Sequence, residues 1–140
     1  MDNILSKIDG LLEKPCYLIA IFPRTVPETP DRRYFAVEEI FQRSRPELVE
    51  RFCRILLKLY CYYDFLLVDG AACTENPDPA ALLERAAGDL TLLLPVCGAL
   101  VMLSGDDLYL RVYHPDRRLA ELLAQLAGAG GLFFYRAPGR

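Results

Sequence analysis

The residues that could carry out covalent or acid–base chemistry are few and widely spaced along this chain. His114 is the single histidine, whereas a cysteine or serine nucleophile needs a base and an orienting group within hydrogen-bond reach. The five cysteines show no CxxC spacing and lie at Cys16, Cys53, Cys61, Cys73 and Cys97. A structural zinc site needs four such ligands, which this spacing does not supply. The sequence therefore predicts no catalytic residues, no metal site and no cofactor.

One short motif, His114-Pro115-Asp116, has a counterpart of known function. It resembles the HPD tripeptide with which J-domain cochaperones engage their chaperone partner. In that family the tripeptide joins two helices, the first of them strongly basic, whereas here an alternating, strand-like segment precedes it. Proline and aspartate are also typical of the start of a helix. We therefore interpret Pro115 and Asp116 as helix-start residues and His114 as a surface residue.

Aromatic side chains are unusually common, because the chain has eight Tyr and seven Phe but no Trp. Three tyrosines cluster at the end of a predicted helix, where a ring can be buried while its hydroxyl contacts water. Such residues suit a partly exposed groove or a protein interface, and core packing with the hydroxyls at the rim is the competing interpretation. The binding residues that we predict here are Leu57, Tyr60, Cys61, Tyr62 and Tyr63.

The helix that positions these residues is predicted over 46–63. Its apolar residues form two stripes that together cover about 220° of the circumference, whereas a helix on one sheet needs only about 100°. The first stripe contains Leu48, Phe52, Ile55, Leu56, Leu59 and Tyr63, and the second contains Val49, Cys53, Leu57 and Tyr60. We expect Leu56 and Leu59 to be nearly fully buried on a sheet. The second cover is either the chain itself, through predicted helices 2–13 and 79–94, or a second copy in a homodimer.

The other segments predict a mixed set of strands and helices around this helix. Strands are predicted at 16–22, 99–103, 108–113 and 131–136, with a tight turn at 104–107 and a helix from Pro115 to Gly128. The resulting βαββαβ order is that of a ferredoxin-like split βαβ domain. We therefore predict an α+β fold of this kind, with an extra N-terminal helix and an insertion over 64–95.

The insertion is predicted as a loop over 70–79 followed by a helix that extends to Leu94, with an interruption at Gly88 as the alternative. The alternative architecture is a mixed α/β sheet with an additional strand at 34–41 or 64–69. We favour a strand over a helix at 34–41, because aromatic and β-branched residues are dense there.

The amino-acid composition of the chain limits the classes of function that it can have. The 140 residues are 53% apolar and carry a net charge of −3 with scattered basic residues, which argues for a single domain over 1–140 and against nucleic-acid binding. Free thiols suit a reducing cytoplasm, and neither a signal peptide nor a membrane span is predicted. We expect a small cytoplasmic interaction or adaptor module without catalytic activity, or alternatively a small-molecule-binding regulatory domain.

Overall fold

The computed structural model describes residues 2–23, 31–70, 72–104 and 107–138, with the backbone alone at residues 2 and 3. Five helices occur in these ranges: α1 (Asp2–Leu11), α2 (Arg32–Arg43), α3 (Arg45–Tyr60), α4 (Pro79–Ala86) and α5 (Arg117–Ala129). Seven strands accompany them: β1 (Cys16–Ala20), β2 (Leu66–Asp69), β3 (Ala72–Glu75), β4 (Leu90–Leu94), β5 (Ala99–Leu103), β6 (Tyr109–Tyr113) and β7 (Phe133–Arg136).

The strands form one open sheet in the order β3-β2-β4-β5-β6-β1-β7, and every neighbouring pair is antiparallel. The predicted α+β class is therefore confirmed. The four strands predicted from the sequence lie side by side as β5-β6-β1-β7. The insertion adds three more strands beyond β5, so the sheet has seven strands rather than the four of the predicted ferredoxin-like domain.

Apolar clusters pack against both faces of the sheet. On one face, residues of α3, α4 and α5 pack with the strands in the larger apolar cluster. On the other face, Ile8 and Leu11 of α1 pack in a smaller cluster with strand residues such as Leu100. Successive residues of β4 contribute to different clusters, with Leu92 in the larger cluster and Leu93 in the smaller one.

Helix α3 is covered on two sides, as its apolar stripes predicted. Leu56 and Leu59 are fully buried, and α2, α4 and α5 all contact α3. Within the described residues α1 packs on the opposite face of the sheet, so its predicted role as a cover for α3 is wrong. The chain itself supplies most of the second cover, because Val49 and Cys53 of the second stripe are also buried.

The strand predicted at 34–41 is wrong, because this segment belongs to helix α2. Asp31 caps the helix, and its carboxylate accepts the backbone N–H groups of Arg33 and Tyr34. The half-buried side chains of the segment are Tyr34, Glu38 and Phe41, at the i, i+4, i+7 spacing of one helix face. Packing along this single face outweighs the intrinsic β preference of the aromatic residues.

Two predictions in the insertion are also wrong. The predicted loop at 70–79 contains strand β3, and the helix that begins at Pro79 ends at Ala86 instead of Leu94. Residues 90–94 form β4, which lacks an alternating pattern because both of its faces are buried. Ala71 of that predicted loop, residues 24–30, and Gly105 and Asp106 of the predicted turn lie outside the described residues. No helix in the described ranges is long and apolar enough to cross a membrane.

Candidate functional site

Three connections meet at one end of the sheet and enclose a groove. Leu66 at the start of β2 pairs with Leu93 near the end of β4, and Leu100 in β5 pairs with Tyr113 at the end of β6. The α3–β2, β4–β5 and β6–α5 connections therefore lie at the same end. The groove between them has a volume of about 490 Å³ and is lined by Tyr60, Cys61, Tyr62, Tyr63, Asp64, Val96, Cys97, Asp116, Arg118 and Leu122. We call it the tyrosine groove.

Four of the five predicted binding residues line this groove, namely Tyr60, Cys61, Tyr62 and Tyr63. The fifth, Leu57, is half-buried and packs against the larger apolar cluster, so the structure does not bring it into the groove. The helical spacing that selected Leu57 places it on α3 one turn before Cys61. Helix α3 ends at Tyr60 instead of the predicted Tyr63, and the residues that follow it, from Cys61 to Tyr63, line the groove.

One wall of the groove is held by Asn76, which follows β3. The Tyr60 hydroxyl donates a hydrogen bond of 3.1 Å to the Asn76 carbonyl oxygen, and the Tyr60 ring packs edge-on against Phe65 with a centroid distance of 5.3 Å. The Asn76 side-chain amide donates a hydrogen bond of 3.2 Å to Asp64 Oδ1. Tyr60 and Asp64 are therefore fixed in position by Asn76, which no pattern in the sequence had indicated as a site residue.

The opposite wall comes from the start of α5 and the turn between β4 and β5. Asp116 caps α5, and its Oδ1 accepts the backbone N–H of Leu119 at 2.8 Å. The predicted helix start at Pro115 and Asp116 is thereby confirmed. Arg118 and Leu122 then lie one turn apart on the side of α5 that lines the groove. The turn contributes Val96 and Cys97, and Gly98 with a φ of 71° closes it.

Cys97 and Tyr63 both have raised pKa values. Burial raises the pKa of the Cys97 thiol, with an opposing contribution from a backbone hydrogen bond to Ala99 and a smaller raising one from the Asp116 carboxylate. Burial likewise raises the pKa of Tyr63, with contributions from Asp116 and Cys97 and an opposing one from Arg118. Because the thiolate is the nucleophilic form of cysteine, Cys97 offers a neutral thiol to a bound molecule instead of a reactive anion.

His114 does not belong to the lining of the tyrosine groove. It is exposed, has a φ of 58°, and its backbone N–H donates to the carbonyl oxygen of Pro15 at 3.1 Å. Across the described ranges no three histidine, cysteine or acidic side chains are grouped so that they could hold a metal ion. The tyrosine groove combines neutral hydrogen-bonding groups with exposed aromatic surface, which suits binding. Its charged lining residues are Asp64, Asp116 and Arg118.

Comparison with known proteins does not identify a family or a function for this chain. The chain matches no family model, no curated protein and no solved structure.

Proposed function

We propose that this protein is a small, non-catalytic interaction module that binds a segment of a partner protein in the tyrosine groove. One observation carries the proposal. Tyr62 and Val96 are 67% and 77% exposed, and both line the same groove although they come from different connections. Large apolar side chains at a concave surface are typical of protein-binding sites, where a few aromatic residues contribute most of the affinity.

The groove offers such a partner both apolar contact and hydrogen bonds. Tyr62, Val96 and Leu122 supply apolar surface, and the Tyr63 hydroxyl is a potential donor beside them. We further propose that the chain acts as one domain in the reducing cytoplasm, where its five cysteines would remain reduced. Nucleic acid is not the proposed partner, because the charged groups of the groove are two carboxylates and one guanidinium.

The proposal is tested by cross-linking from the groove itself. A photoreactive phenylalanine analogue replaces Tyr62 in cells that express the protein, and the same analogue replaces Phe133, which is 45% exposed on β7, as a matched control. We expect one protein to be captured from position 62 and not from position 133. The captured protein is then purified, and its affinity is measured by calorimetry for the wild type, Tyr62→Ser and Phe133→Ser.

Tyr62→Ser should weaken binding at least about tenfold, as expected for a central aromatic residue, while Phe133→Ser should leave the affinity unchanged. Equal affinities for all three proteins would show that the tyrosine groove is not the binding surface. Capture of the same proteins from both positions would count against the proposal in the same way.

A small-molecule-binding regulatory domain is the second candidate, and the size of the groove favours it. The volume of about 490 Å³ lies within the range of about 300–1,000 Å³ typical of ligand sites. A metabolite that raises the melting temperature of the wild type but not of Tyr63→Phe would favour this function.

We also propose that the strands β5-β6-β1-β7, together with α3 and α5, form a ferredoxin-like unit to which the other strands are added. Their strand order supports this grouping.

A further inference from the structure

A second groove lies between α3 and α5, beside the C-terminal end of α5. It has a volume of about 290 Å³ and is lined by Arg51, Arg54, Ile55, Lys58, Leu126, Ala129 and Gly130. We call it the basic groove. It shares no lining residue with the tyrosine groove, so an inference about it does not depend on the function proposed above.

The basic groove combines three cationic side chains with an apolar floor. Arg51, Arg54 and Lys58 are exposed and follow one another at helical spacing along α3, and none of the lining residues is acidic. The floor is formed by Ile55, which is buried, and Leu126, which is half-buried. Positive charge and apolar surface therefore face the same space.

Partners among the described residues neutralise little of the charge of these three cations. Arg54 lies 3.2 Å from Glu50, but both side chains are about two-thirds exposed, at 68% and 64%, and such pairs contribute little and exchange readily. The side chains of Arg51 and Lys58 form no ion pair or hydrogen bond with any other described residue. Positive charge is thus available at this surface.

Arg51 alone has a structural explanation. Its guanidinium Nη1 lies 3.7 Å from the position that a Cβ on Gly131 would occupy, close to the negative end of the α5 dipole, which attracts cations. Lys58 is seven positions further along α3, or about 10 Å at 1.5 Å per residue. The dipole effect falls off within the last turn of a helix, so it should be weaker at Lys58 than at Arg51.

We propose that the basic groove binds an acidic amphipathic segment of a partner protein, with carboxylates on Arg54 and Lys58 and apolar side chains against Leu126. Charge complementarity selects carboxylates, because clustered surface cations attract them over a short range that salt screens. The apolar floor argues against a nucleic-acid backbone, since phosphates would leave Leu126 without an apolar contact. Segments of this kind bind grooves through apolar anchors at helical spacing.

The experiment measures fluorescence anisotropy with a labelled synthetic peptide that carries leucines on one helix face and glutamates beside them. A second peptide replaces every glutamate with glutamine. We expect the glutamate peptide to bind the full-length protein at least tenfold more tightly than the glutamine peptide, and its affinity to fall as salt is raised.

The variant Arg54→Glu/Lys58→Glu should weaken binding of the glutamate peptide at least tenfold. Arg117→Glu is the matched control, because it reverses a charge that is 93% exposed at the other end of α5, about 20 Å away, and should change the affinity less than twofold. Leu126→Ala should weaken both peptides by a similar factor, because it removes apolar contact alone. Thermal melts of each variant confirm that it is folded.

Equal binding of the two peptides, or equal binding to the wild type and to the folded double variant, would overturn the proposal. So would binding of a mixed-sequence single-stranded RNA in place of the glutamate peptide. None of these outcomes bears on the tyrosine groove, because Tyr62 lies outside the basic groove.

Discussion

Phe65 and Asn76 exchange two hydrogen bonds that join the start of β2 to the end of β3. The backbone N–H of Asn76 donates to the Phe65 carbonyl oxygen at 2.7 Å, and the Phe65 backbone N–H donates to Asn76 Oδ1 at 2.8 Å. Asn76 has a φ of 45°, a conformation that asparagine tolerates better than most residues. Because the same residue also binds Tyr60 and Asp64, it couples the insertion to the wall of the tyrosine groove.

Replacing Asn76 should therefore destabilise the protein through two separable effects. Asn76→Gly removes the side-chain acceptor for the Phe65 N–H and should lower the free energy of unfolding by about 1–3 kcal/mol. Asn76→Ala removes the same acceptor but keeps a Cβ at a positive φ, which alanine tolerates less well than asparagine or glycine, so it should be the less stable of the two variants. Urea denaturation followed by circular dichroism measures both values. If either variant is as stable as the wild type, the side-chain hydrogen bond between Phe65 and Asn76 does not stabilise the protein.

The fold was predictable where one periodicity dominated. In α3 the spacing of Leu56 and Leu59 predicted burial that the structure confirms. In contrast, β4 could not be distinguished from a helix, because a strand buried on both faces is a continuous apolar run. Asn76 could not be identified at all, since its partner Phe65 lies eleven positions earlier and no local pattern links the two residues. The tyrosine cluster was visible as composition, but the other walls of its groove depend on the tertiary structure.

The leucines of α3 should respond to truncation according to their burial. Leu59 is 0% exposed, so Leu59→Ala should lower the free energy of unfolding by about 2–5 kcal/mol. Leu57 is half-buried and Leu57→Ala should cost less, because fewer contacts are lost. Chemical denaturation of both variants side by side provides the comparison, and equal losses would contradict this packing of α3.

Introducing a charge at Leu57 distinguishes packing within the chain from self-association. Leu57 packs against the larger apolar cluster, so Leu57→Glu should lower the melting temperature without changing the mass measured by sedimentation. Conversion of a dimer into a stable, folded monomer would instead identify the stripe at Leu57 as a homodimer interface.

The cysteines should differ in reactivity according to their exposure. Cys61 is exposed, whereas Cys53 is buried, and burial raises the pKa of the Cys53 and Cys97 thiols. Iodoacetamide at neutral pH should therefore modify Cys61 first, because alkylation requires an accessible thiolate. Peptide mapping by mass spectrometry follows each site over time. Faster modification of Cys97 than of Cys61 would reveal an activated thiol and would favour an enzymatic role for the tyrosine groove.

The stability of the protein should fall at alkaline pH, because folding raises the pKa values of Tyr135 and Tyr34. Burial, and secondarily the charge of Tyr109, raises the pKa of Tyr135 from its ordinary value of 10.0 to about 12. Burial and the hydrogen bond from its hydroxyl to Glu38 at 2.9 Å raise the pKa of Tyr34 in the same direction. An unfolded chain loses these protons first, so the stabilisation is complete below pH 10.0 and declines as the pH approaches about 12.

Tyr135→Phe isolates one contribution to this pH dependence. The Tyr135 hydroxyl is buried and has no hydrogen-bond partner among the described residues, so its removal should leave stability at neutral pH unchanged or slightly higher. The variant should then lose less stability than the wild type between pH 10.0 and about 12. Urea midpoints measured across this range test the expectation, with Tyr62→Phe as the control because Tyr62 is 67% exposed. If Tyr135→Phe and Tyr62→Phe lose stability in parallel with the wild type, Tyr135 ionises as freely in the folded protein as in the unfolded chain.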